Sequence, residues 1–230
     1  MKIREIYLGK GIPVVSLTIA ILCIVTTVIS QLVPSTYLAF AFTYPVKYPW
    51  QIISYIFLQG ISKDLLPPDF SYSPIELAIG HLGFNLLLVL PFGILNEKVL
   101  GSIKFLILSI TAWITNIACI YIIAMNSNDD NFIGAGASGL AFAFMPVGIY
   151  ILFALGKKCG FKNLFKQVSF YLLMPIAITT FIFAVSPSIA GVAGVVSMIM
   201  HLVALVTGVA MTVVFRKNIN KYIETQSYKR

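Results

Sequence analysis

The chain has 230 residues, 59% of them hydrophobic and 10% charged, with a mean hydropathy of +0.93. That balance excludes a water-soluble globular domain, so its long apolar runs are read as membrane spans. The formal net charge of +8 serves as a topology signal, with a contribution from anionic lipid, and does not mark a nucleic-acid-binding surface.

Apolar runs near the ~20 residues that a bilayer core requires lie at roughly 12–33, 75–95, 103–125, 138–155, 168–186 and 194–215. The expected class is an all-α polytopic membrane protein with six transmembrane helices, a multi-pass protein of the cell membrane. A basic arm (residues 1–11) precedes the six-span domain (residues 12–215), and a basic tail (residues 216–230) follows it. The first run is too long for a signal-peptide core and has no small-residue cleavage site after it, so it is read as a retained span.

Charge placement tests the count. Lys2, Arg4 and Lys10 precede the first span, Glu97, Lys98 and Lys104 lie between the second and third, and Lys157, Lys158, Lys162 and Lys166 lie between the fourth and fifth. Arg216, Lys217, Lys221, Lys229 and Arg230 follow the sixth. These are alternate loops, and the positive-inside rule therefore places both termini in the cytoplasm. Cys23, Cys119 and Cys159 show no paired spacing and read as packing residues.

Between the first and second spans runs a connection of about forty residues, rich in Tyr, Phe, Trp and Pro. Its aromatics favour the headgroup region, so it is expected as a structured element lying partly in the outer interface. The second span carries His81, Gly83 and Asn85 in its outer half, and the third carries Trp113 and Asn116, each a candidate interhelical hydrogen bond. A polar turn from Asn126 to Asn131 leads into Ile133-Gly134-Ala135-Gly136-Ala137-Ser138-Gly139-Leu140, which opens the fourth span. The sixth span carries His201, Ala204 and Gly208, and the tail from Arg216 is expected to fray.

Ser138 sits where a membrane helix begins. Flanking glycines allow a tight turn, and the free N–H groups of a helix N-terminus stabilise a developing negative charge. Taken alone, a run of small residues equally allows two membrane helices to pack closely. The histidines discriminate between the two. Measured from the basic ends of their helices at about 1.5 Å per residue, His81 lies roughly 24 Å up, Asn85 about 18 Å, Ser138 roughly 28 Å and His201 about 22 Å. All four share the outer half of the membrane, and His81 and Asn85, four apart, share one helix face.

These residue types support acyl transfer. Ser138 needs a base for its proton, which His201 can be, and an oxyanion site, which the Ser138 backbone N–H and the side chains of His81 and Asn85 can form. No carboxylate lies in that layer, so the pair is a Ser–His dyad rather than a triad. No His-Glu-x-x-His motif is present and every aspartate lies in a loop, which sets aside zinc and aspartyl chemistry; no metal or cofactor is expected.

Here the sequence resembles the rhomboid intramembrane serine proteases. His81-Leu82-Gly83-Phe84-Asn85 is similar to the family's His-x-x-x-Asn, Gly136-Ala137-Ser138-Gly139 to its Gly-x-Ser-Gly, and His201 to its sixth-helix histidine. Glu97-Lys98-Val99-Leu100-Gly101-Ser102 resembles its Glu-x-x-x-Gly-Ser. The resemblance implies a six-helix rhomboid-like bundle in which Ser138 is nucleophile, His201 general base, and His81 and Asn85 oxyanion ligands. It also implies single-span membrane proteins as substrates, cut near the outer face of a helix that is easily unwound.

Three positions depart from the family pattern. Trp50-Gln51 stands where Trp-Arg is common, losing a cation that bonds loop carbonyls; Phe142 replaces a tyrosine that stacks on the histidine; and Ala204 replaces a glycine, adding a methyl between the fourth and sixth helices. A catalytically silent relative that binds and escorts membrane helices is the alternative, and it would need only the scaffold. A transporter is disfavoured, since no inverted repeat or paired broken helices are evident.

Overall fold

The computed structural model describes residues 11–62, 65, 73–127, 132–165, 173–179, 182 and 192–225. The first helix, α1 (Val14–Leu32), starts after Pro13 and stops before Pro34, where the residue ahead of a proline is steered out of helical geometry. A short 3-10 turn (Pro34–Thr36), α2 (Tyr37–Phe40), the strand β1 (Phe42–Tyr44) and α3 (Gln51–Ser54) follow. Helix α4 (Pro74–Leu100) opens on a capping box: Ser73 Oγ accepts from the Glu76 N–H, and the Glu76 carboxylate accepts from the Ser73 N–H. Gly101, at φ 79°, stops α4 and alone separates it from α5 (Ser102–Asn126). The strand β2 (Phe132–Gly134), α6 (Ser138–Cys159), α7 (Phe161–Leu164), α8 (residues 173–179) and α9 (Val192–Thr225) complete the described elements.

Among the described residues five helices are long and apolar enough to cross a bilayer: α1, α4, α5, α6 and, from Gly194, α9. The expected span at 168–186 falls largely outside the described residues, as does the arm of residues 1–10. The protein is a multi-pass integral membrane protein. In α6, 67% of the apolar window is buried, against 28–33% in the other four spans. This helix is therefore the axis of the bundle, with α9, α4 and α5 packed around it. Its small residues make that possible. A side chain at Gly208 of α9 would run into the Ala143 carbonyl of α6, so the two backbones touch there.

Three expectations change. The body is not wholly helical: β1 pairs antiparallel with β2, Phe42 opposite Gly134, Thr43 opposite Ile133 and Tyr44 opposite Phe132. The long first connection is thereby fixed to the segment that leads into Ser138.

Nor does α9 fray at Arg216; it continues to Thr225, burying Ile219 and Ile223 on the same stripe as Phe215. Lys158 Nζ donates to the carbonyls of Ile223 and Glu224, and Tyr150 Oη donates to Asn220 Oδ1, fastening this extension to α6.

Glu97, finally, is not a loop charge. It is buried within α4 and accepts from Val15 N at 3.0 Å, Ser16 N at 2.8 Å, Ser16 Oγ at 2.7 Å and Ser102 Oγ at 2.7 Å. One carboxylate thus caps the N-terminus of α1 and ties the ends of α4 and α5 to it.

Candidate active site

Gly136 is the turn on which the site is built. Its φ of 135° is a conformation that a side chain disfavours, and its N–H donates to the Tyr55 carbonyl at 2.9 Å. The chain then enters α6 with Ser138 as the first helical residue and no side-chain cap. Leu140 N donates to the Ala137 carbonyl at 3.0 Å, and the N–H groups of Ser138 and Gly139 have no acceptor among the described residues. Ser138 is half-buried and lines a cavity of about 740 Å³. His201, one turn above the buried Ala204 on α9, lines the same cavity, as do Gly136 and Gly139. The cavity walls come from α5, β2 and the starts of α6 and α9.

His201 stacks on Phe142, with ring centroids 4.1 Å apart and planes 26° apart. The phenyl face supplies the stacking surface without a hydroxyl. Among the described residues no hydrogen bond joins Ser138 and His201. Ala204 is fully buried, and one turn further on α6 comes so close to Gly208 that an added methyl there would run into the Ala143 carbonyl.

His81 and Asn85 stand behind Gly136 rather than on the cavity wall. A methyl placed on Gly136 would come within 2.9 Å of His81 Cε1 and 3.4 Å of Nε2. The Gly60 N–H donates to His81 Nδ1 at 3.2 Å, which leaves a neutral ring with its proton on Nε2, the nitrogen that faces Gly136. Asn85 Nδ2 donates to the buried Gln59 Oε1 at 2.6 Å. An amide has two N–H groups, so one remains for another acceptor, and Asn85 Oδ1 is buried with no hydrogen-bond partner.

Gln59 and Gly60, which sequence reasoning missed, thus hold the two side chains expected to stabilise an oxyanion. Their only trace in the sequence is their position at the end of the aromatic connection, and no spacing rule links that position to residues some two dozen places on.

The remaining departure, Gln51, is also accommodated. Gln51 is fully buried; its Nε2 donates to the Leu38 carbonyl at 2.7 Å, while its Oε1 accepts from Thr43 Oγ1, Lys47 N and Tyr48 N at 3.0–3.1 Å. A neutral amide here supplies the carbonyl contact expected to be lost with the cation. Trp113 Nε1 donates to the Ile52 carbonyl at 2.8 Å, from helix to connection.

Among the described residues Asn116 makes no interhelical hydrogen bond. Its Nδ2 donates to Ala112 of its own helix, and its buried Oδ1 has no hydrogen-bond partner. It lies beside Gly139, where an added methyl would come within 2.5 Å of the amide, and it lines the cavity. Buried polar atoms without partners are uncommon, and of the five among the described residues three, Tyr55 Oη, Asn85 Oδ1 and Asn116 Oδ1, belong to residues around the turn that carries Ser138, while Thr27 Oγ1 and Asn96 Oδ1 lie elsewhere. No group of three or more His, Cys, Asp or Glu placed to hold a metal is found among the described residues.

A family model described as "Rhomboid domain" matches residues 70–218, well over half of the chain and inclusive of His81, Asn85, Ser138 and His201. No curated protein matches the chain.

Proposed function

The chain belongs to the rhomboid family, and from that premise we propose that it is an intramembrane serine endopeptidase. Its substrates are membrane proteins whose transmembrane helices are cut in or near the outer part of the bilayer, and both of its own termini face the cytoplasm. The observation that carries this reading is that Ser138 and His201, brought from two different helices, line one cavity beside a helix start with free N–H groups. Ser138 Oγ attacks the scissile carbonyl carbon while the His201 imidazole takes the hydroxyl proton. The resulting oxyanion is met by the Ser138 N–H, His81 Nε2–H and the second N–H of Asn85. Collapse of the tetrahedral intermediate breaks the C–N bond, and the leaving amine takes the proton from His201. Water, deprotonated by the same imidazole, then hydrolyses the acyl-serine.

A second reading rests on the missing Ser138–His201 hydrogen bond: the scaffold binds transmembrane helices without cutting them. Unliganded sites often hold such pairs loosely, so the gap weighs little against the cavity they share. The deciding experiment incubates purified protein in lipid with a panel of single-span substrates and a serine-directed fluorophosphonate. Proteolysis and labelling are expected for the natural chain, with neither in Ser138→Ala. Equal cleavage by Ser138→Ala would overturn the protease reading.

A further inference from the structure

At the end of the bundle remote from Ser138, α6 and the extension of α9 enclose a second cleft, of about 520 Å³. We propose that it binds an anionic phospholipid, with the phosphodiester headgroup at Lys157 and Arg216 and an acyl chain along Tyr150, Phe153 and Ala154.

The walls are built rather than incidental. Tyr150 Oη bonds Asn220 at 3.0 Å, and Lys158 Nζ is engaged by the carbonyls of Ile223 and Glu224, so the two helices are clamped on both sides of the opening. Lys157 Nζ rests over the Phe153 ring, 4.7 Å from its centroid, which fixes the ammonium at the rim. Among the described residues neither Lys157 nor Arg216 has a carboxylate partner. Glu224 supplies the one acidic side chain of the lining, against the cations of Lys157, Lys158 and Arg216, so the cleft keeps a net positive charge. Asn220 accepts from Tyr150 through Oδ1 and keeps its amide N–H groups for an anion.

The polarity also runs the right way. From Tyr150 to Lys157 is about 10 Å along the helix. The wall passes over that distance from apolar and aromatic to cationic, which is the profile of one lipid molecule at a membrane surface. The positive-inside rule accounts for cations at this end of the molecule but not for their placement around a cleft with an apolar roof.

The test uses the full chain in neutral detergent. Its melting temperature is read with added dioleoylphosphatidylglycerol, with dioleoylphosphatidylcholine, and with phosphatidylcholine plus inorganic phosphate. Each variant serves as its own lipid-free reference. Phosphatidylglycerol should raise the melting temperature of the natural chain by several degrees more than phosphatidylcholine does. Lys157→Gln/Arg216→Gln should lose most of that increment, whereas Lys104→Gln/Lys217→Gln, with the same change of charge outside the cleft, should keep it. Lys157→Arg should keep it too. Absence of an increment in the natural chain, equal loss in the two double variants, or the same increment from inorganic phosphate would each overturn the proposal.

Discussion

The buried polar groups around Glu97 and those around Ser138 differ in how completely they are satisfied. The Glu97 carboxylate is saturated, with four donors from α1 and α5 converging on its two oxygens; the adjacent Asn96 Oδ1, which lies against Gly148 of α6, is buried without a partner and is no part of that contact. Around Ser138 the count does not close, since Asn85 Oδ1 and Asn116 Oδ1 are buried without partners and the N–H groups of Ser138 and Gly139 have no acceptor among the described residues. A saturated cluster fixes helices in place. An unsaturated one, which carries a desolvation penalty in the resting protein, has hydrogen bonds left over for something that enters. The contrast predicts that substitutions at the two clusters fail in different ways.

The largest effect is expected at the unsaturated end. Ser138→Ala and His201→Ala should each remove essentially all cleavage of a transmembrane substrate, and the double variant should be no worse than either, because the two groups act as one unit. Additive losses in a gel-based cleavage assay would break the comparison.

Next come the groups behind Gly136. Asn85→Ala removes one oxyanion donor and should lower kcat by about 10²–10³, the typical loss for such a donor. Gln59→Ala should lower kcat less, with KM unchanged, because Gln59 touches Asn85 and does not line the cavity. A change in KM alone would mean that Gln59 serves substrate binding instead.

At the saturated end the currency should be stability. Glu97→Gln replaces an acceptor oxygen with a donor and leaves buried N–H groups of α1 unpaired, so unfolding in detergent should come about 2 kcal/mol more easily. Turnover per folded molecule should hold, and a fall in kcat at equal folded fraction would show that the two clusters are coupled. The smallest effect is expected for Phe142→Tyr. The stacked ring already faces His201, so restoring a hydroxyl should leave the cleavage rate unchanged, and a large gain would show that the phenyl face alone holds the imidazole poorly.

Helix positions and the reactive residue types were legible in the sequence because both follow from local rules. Apolar runs must be long enough to span, and His81, Asn85, Ser138 and His201 are conspicuous where polar groups are expensive. The supports were not legible. Gln59 and Gly60 act through contacts with a helix more than twenty residues on, Gln51 acts through a network inside an irregular connection, and no periodicity marks any of them. Glu97 looks like a loop charge until α1 is known to start against it. The continuation of α9 escaped because hydropathy averaging discards an amphipathic stretch, in which Phe215, Ile219 and Ile223 form a buried stripe between charged residues.

The pairing of β1 with β2 bears on how the molecule is made. Phe42 leaves the ribosome some ninety residues before its partner Gly134, with α4 and α5 still to be inserted between them. Until the third long helix has crossed, β1 presents an unpaired edge, and the Tyr55 carbonyl has no Gly136 N–H to accept from. Competence of the cavity is therefore a late event in biogenesis, reached only after β1 and β2 have been delivered to the same side of the membrane.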